Sequence, residues 1–203
     1  STNNTCSRSQ QNMIKKIFSK ISINSPVILG FTAICLIALI LDFVTVGFTN
    51  NLLFSVYRSS LLNPLTYFRF IGHIFGHSGW QHFMGNIMLI LIVGPLLEEK
   101  YGSKNTIYVI ISTAVITGIV HFMLFPGVRL LGASGVVFAL ILLSSFVRLK
   151  DGKIPLTFIL VALIYIGQQI FEGIFINDNI SNLTHIIGGV VGAATGYALN
   201  KRK

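Results

Sequence analysis

The chain has 203 residues, of which 53% are hydrophobic and only 10% are charged, against about 25% charged in a soluble domain. So little charge excludes an ordinary water-soluble globule and points to one polytopic membrane unit. The net charge of +9 is no sign of nucleic acid, because the lysines and arginines fall in short clusters between apolar runs, as topology signals do.

In chain order, residues 1–25 read as a polar, basic cytoplasmic tail carrying Arg8, Lys15, Lys16 and Lys20, suited to an anionic membrane surface. Cys6 in this tail and Cys35 in the first apolar run provide neither a disulfide framework nor a metal cluster. Runs that can cross about 30 Å of hydrocarbon at roughly 20 residues each fall near 26–47, 81–97, 105–125, 133–149, 154–175 and 182–199. The second, fourth and sixth are short for a full crossing. The first is too long for a cleaved signal peptide and no small-residue cleavage site follows it. The expected organisation is an all-α membrane protein: six transmembrane helices over 26–200, flanked by the 1–25 tail and a basic end at 201–203.

Residues 48–80 form a link between the first two helices that is longer than structureless loops usually run. Its many aromatic residues, among them Phe54, Tyr57, Tyr67, Phe68, Phe70, Phe75 and Trp80, predict an ordered element lying on or dipping into the membrane face. Six crossings put both termini on one side. That side then holds twelve of the fifteen lysines and arginines, leaving Arg58, Arg69 and Arg129 opposite, so the termini are expected in the cytoplasm.

This topology brings polar residues of three helices to one depth. The stretch GASG puts Ser134 in the first turn of the fourth segment. His185 lies about one turn into the sixth, and His82 and Asn86 share one face of the second. All four fall in the outer leaflet, where polar side chains are costly and usually functional. A serine and a histidine at matching depth are the minimum for nucleophilic catalysis: the imidazole takes the hydroxyl proton as Oγ attacks and returns it to the leaving group. Asn86, His82 and the Ser134 N–H at a helix N-terminus are candidate donors to an oxyanion. Gly188, Gly192 and Gly196 recur every four residues after His185. Such a small face lets the sixth segment approach the fourth, where Ala133 and Gly135 are small too.

GASG at Ser134, HIIGGVVG from His185, HSGWQHFMGN over 77–86 and LLEEKYGS over 96–103 together resemble the rhomboid intramembrane serine proteases, in order and on the expected segments. The resemblance runs from about Asn63 to the end of the sixth segment. It implies Ser134 as nucleophile and His185 as general base in a dyad that needs no acid, with His82 and Asn86 stabilising the oxyanion. Gly132, Gly135, Gly188, Gly192, Arg69 and His77 are then structural members around the site, and 48–80 is the family's membrane-embedded first loop. Phe68 stands where the family often has tryptophan. Phe138 stands where it often has a tyrosine stacked on the catalytic histidine, and phenylalanine keeps that ring face. Neither departure touches proton transfer.

The resemblance implies single-span membrane proteins as substrates, with a small residue before the scissile bond and helix-weakening residues nearby. It implies no cofactor. The fifth segment and the outer loop carrying Asp178 are gate candidates, and a prokaryotic cell membrane is the expected location. His73, His77 and His82, the first two four apart, invite a metal reading but have no neighbouring cysteine or carboxylate, so no metal is expected. His121 reads as interfacial. Asp42 reads as reaching the outer surface, with a third triad place as the alternative. Glu98, Glu99 and Lys100 read as the cytoplasmic end of the second segment. A non-catalytic helix binder would be expected to lack the serine or the histidine. A proton path would need polar residues along the whole crossing, and here they stop at the outer half. Substrate identity and oligomeric state are not legible.

Overall fold

The computed structural model describes residues 24–146 and 179–200, with residues 156, 159, 160, 163, 164 and 167 between them. Most of the fifth segment, the tail before residue 24 and residues 201–203 lie outside this set. The major helices are α1 (Pro26–Val44), α4 (Trp80–Tyr101), α5 (Ser103–Leu124), α6 (Ser134–Phe146) and α7 (Asn179–Asn200), with α2 (Phe48–Leu52) and α3 (Pro64–Gly72) in the long link. The β pairing among the described residues is one antiparallel bridge, Val56 to Leu130.

Three of these helices, α1, α4 and α5, are long and apolar enough to cross a bilayer. Both α4 and α7 run 22 residues, about 33 Å at 1.5 Å per residue, so neither is short as the sequence suggests. Helix α4 continues four residues past the expected end at 97 because Glu98 is buried inside the fold. Its carboxylate accepts the N–H groups of Val27 and Ile28, each at 3.0 Å, and the Ser103 hydroxyl at 2.6 Å. Pro26 occupies the first position of α1 and Ser25 makes no side-chain cap, so Glu98 supplies from another helix the acceptor and the negative charge that a helix start favours. Glu98 is therefore a structural cap and not simply a solvated helix end.

The link over 48–80 is ordered. The Asp42 carboxylate accepts the Asn50 N–H at 2.9 Å, which ties α1 to α2. Asn63 caps α3 by accepting the Leu65 N–H at 2.9 Å, with Pro64 next. A single 3₁₀ turn, His73–Phe75, then leads to α4. Arg69 is buried; its Nε donates to the Leu52 carbonyl at 2.9 Å and its guanidinium lies 4.5 Å from the Tyr57 ring centre. Arg69 thus braces the link across its own turns.

A core of Ile28, Cys35, Ile90, Val109, Ala114 and Val136 joins α1, α4, α5 and α6, while Ile37, Phe43, Ile92, Leu96 and Met123 face outward. Helix α7 packs against α6 and α5 more extensively than any other helix pair among the described residues. Outward apolar faces on spanning-length helices suit hydrocarbon contact.

Candidate active site

Ser134 is the first residue of α6. Two residues earlier, Gly132 has φ +128°, and a Cβ there would stand 2.8 Å from both Cε1 and Nε2 of His82 and 3.7 Å from the Ser134 Oγ. Glycine is required twice over, by the backbone conformation and by the imidazole filling the space. The Gly132 N–H donates to the His73 carbonyl at 2.9 Å, which fastens the loop before Ser134 to the link. Gly135 is different: among the described residues a Cβ there meets Thr113 and Thr117 at an ordinary 3.8 Å. Clearance around the serine is thus specific to its N-terminal side.

The ring of His82 has a defined tautomer. Its Nδ1 receives the Ser78 N–H at 3.5 Å and lies 3.1 Å from the Ser78 hydroxyl. A backbone amide can only donate, so the proton of the neutral ring sits on Nε2, the nitrogen that borders Gly132. One turn on, Asn86 is buried and its Nδ2 donates to the His82 carbonyl at 3.1 Å. Its described bond is within its own helix. His77 packs edge-on to His82, with ring centres 5.1 Å apart, and its Nδ1 lies 3.2 Å from the Phe75 carbonyl.

His77 and His73 are both fully buried. Burial holds the pKa of His77 down to about 4, helped by the adjacent His82 and opposed by the Phe75 carbonyl. Burial likewise holds His73 at about 4, against the Arg69 carbonyl at 3.1 Å and with help from His121. Both rings are neutral near pH 7. Each is committed to a backbone carbonyl, the use expected of structural histidines.

His185 lies in the second turn of α7, because that helix starts at Asn179 and not at 182; its side chain lies outside the described residues. The backbone register still locates its helix face. A methyl added to Gly189 would overlap the Phe138 ring, and one added to Gly192 would overlap Ala139 and Thr113. Gly192 meets Ala139, and four residues earlier on each helix Gly188 and Gly135 have Thr117 as a common neighbour, so the two helices run parallel there. Ser134 and Phe138 are four apart on α6, and His185 and Gly189 are four apart on α7, so each pair shares a face. One turn back from the Phe138–Gly189 contact, the register aligns position 134 with position 185. Gly188, in contrast, faces Thr117 of α5, so the small face of α7 serves two neighbours and not the fourth segment alone. Gly196 and any stacking of Phe138 on His185 involve side chains outside the described residues.

One residue was misread from sequence, and another carries a role beyond its place at a helix end. Glu98 is the interior cap described above. His121 is fully buried rather than interfacial, because the chain after α5 folds back over it: its Nε2 lies 3.1 Å from the Val128 carbonyl. The turn signal Pro126–Gly127, five and six residues on, is the feature that could have revealed this return.

These features define a helical membrane protein with a glycine-preceded serine at a helix start, beside neutral buried histidines. Comparison with known proteins agrees. The Rhomboid domain model matches residues 64–202, and the chain belongs to the rhomboid family. It is 33% identical over 143 residues to rhomboid-related protein 1 of Caenorhabditis elegans, covering 64% of this chain and 39% of that protein. It is 28% identical over 184 residues to the rhomboid protease GlpG of Salmonella choleraesuis, covering 85% of this chain and 64% of that one. The GlpG of Salmonella newport is 27% identical over the same length. The chain thus spans less than two thirds of the length of these curated relatives.

Proposed function

We propose that this chain is an intramembrane serine endopeptidase that cleaves single-span membrane proteins near the outer leaflet with a Ser134–His185 dyad. The observation that carries the reading is the parallel register of α6 and α7, whose approach of Gly189 to Phe138 supports a serine and a histidine position at a similar level one turn back. The Ser134 Oγ attacks the scissile carbonyl as His185 takes its proton. The tetrahedral oxyanion is met by the Nε2–H of His82, the N–H of Ser134 and, after rotation away from its own helix, the Asn86 amide. Collapse expels the amine with the proton from His185, and water admitted from outside hydrolyses the acyl-enzyme.

The same reading takes the whole of 26–200 as six spanning helices with cytoplasmic termini, and 48–80 as a membrane-associated outer loop. It takes Arg69 and His77 as the braces of that loop, and the fifth segment with the Asp178 loop as the gate region. A prokaryotic cell membrane is the proposed location. A helix-weakening substrate fits because attack needs an exposed backbone carbonyl, which an intact transmembrane helix does not present.

The test is covalent labelling by a fluorophosphonate alongside cleavage of a labelled transmembrane peptide. Wild type is expected to do both, and Ser134→Ala and His185→Ala neither. Cleavage that persists in Ser134→Ala removes the mechanism.

A further inference from the structure

The loop between α5 and α6 carries Ser134 at its end; besides the bond from the Arg129 guanidinium to the Asn51 side-chain oxygen, it is pinned at three points. Val56 and Leu130 exchange both backbone bonds, at 2.9 and 3.0 Å, and the Gly132 N–H donates to the His73 carbonyl at 2.9 Å. These two pins are backbone to backbone, so no side-chain substitution removes their bonding groups. The third is the Nε2 of His121 on the Val128 carbonyl at 3.1 Å. A carbonyl oxygen only accepts, so Nε2 carries the proton and donates.

His121 sits in the last turn of α5 with no exposed surface. Its own carbonyl accepts the Phe125 N–H at 2.9 Å, and its ring lies 5.4 Å from that of Phe125. It is close enough to His73 for a charge on either ring to oppose a charge on the other. One imidazole thus joins the end of a spanning-length helix, the start of the nucleophile loop and the histidine whose carbonyl holds that loop's far end.

We infer that His121 is a positioning residue for the nucleophile: its hydrogen bond to Val128 sets the path of residues 125–133 and thereby the place of the Ser134 Oγ. The inference rests on the proposed serine chemistry, since it assigns His121 to the support of that serine. An error of about 1 Å in placing a reacting atom is enough to cost on the order of 100-fold in rate. Glutamine can reproduce the donor at the position of Nε2. Leucine fills the space without a donor, and asparagine carries one too short to reach.

The experiment compares full-length wild type, His121→Gln, His121→Leu and His121→Asn in detergent. It measures the second-order rate of fluorophosphonate labelling at Ser134, kcat and KM on a transmembrane peptide, and the rate of tryptic cutting after the exposed Arg129. The leucine and asparagine variants are expected to lose at least tenfold in labelling rate and kcat, with KM changed less than threefold and cutting at Arg129 accelerated. The glutamine variant is expected to recover to within threefold of wild type on each measure. Should the leucine variant fail to fold, the glutamine and asparagine pair carries the comparison. Equal labelling and equal cutting in those two variants overturn the positioning role. If wild type does not label while Arg129 cutting still follows the donor, the protease reading fails and the loop pin stands.

Discussion

At the scale of single residues, Gly132 shows why a glycine precedes the serine. Its φ of +128° and the His82 ring against it leave no room for a methyl. Gly132→Ala is expected to push the imidazole outward and lower the labelling rate of Ser134 at least tenfold, by more than it lowers thermal stability. An alanine variant that labels at the wild-type rate would show that His82 does not need this space. His73 and His77 make a second residue-level prediction. Both are held at about 4 when folded, against about 6.5 in an unfolded chain. Between those values the unfolded state binds more protons, so their contribution is fully present above pH 6.5 and is lost as pH falls toward 4. A gap of that size corresponds to at most about 3 kcal/mol for each ring. Thermal unfolding followed from pH 7 to pH 4 should show the midpoint falling through this window. His77→Phe should flatten the slope, and an unchanged slope in that variant would remove His77 from the account.

At the scale of elements, the start of α6 and the presence of helices at the second, third and sixth segments were legible, because long apolar runs and a glycine-alanine-serine-glycine start are local signals. What could not be read was pairing. Nothing near Glu98 in sequence says that Val27 and Ile28, about seventy residues away, lack a cap of their own. His121 has a polar ring near a helix end, which reads as interfacial until the returning loop is known. Gly188 and Gly189 are neighbours in sequence, yet they face α5 and α6 respectively, a division that needs the positions of both helices. The Glu98 cap has a measurable consequence. Glu98→Ala leaves one buried and one part-buried N–H group without their acceptor and is expected to cost about 2–4 kcal/mol, whereas Glu98→Gln keeps one acceptor and should cost less. Reversible unfolding in mixed micelles ranks the two; equal stability of all three proteins would deny the cap a role. The glycine face of α7 is tested in the same assay. Gly192→Val places its branched side chain into Ala139 and Thr113 and should destabilise by about 1–3 kcal/mol. Gly30→Ala on α1, with nothing within 4 Å of the added carbon, should be silent.

For the whole molecule the decisive quantity is orientation, because in the proposed protease it determines which side of the membrane supplies the hydrolytic water. Twelve of the fifteen lysines and arginines fall on the side that would hold both termini, leaving Arg58, Arg69 and Arg129 on the other. That bias favours cytoplasmic termini, an orientation that would open the start of α6 to the outside. The two native cysteines provide the test without any engineered probe. Cys35 is fully buried within the α1 contacts and should stay silent toward a membrane-impermeant maleimide, so Cys6 reports alone. In intact spheroplasts Cys6 is expected to remain unlabelled, and in inverted vesicles it should label fully, with Cys6→Ser as the blank. Labelling of Cys6 from outside would invert the molecule and turn Ser134 toward the cytoplasm. Proteolysis would then survive as chemistry, but its substrates would have to be cut from the opposite leaflet. The charge bias and the depth of the serine therefore stand or fall on one thiol.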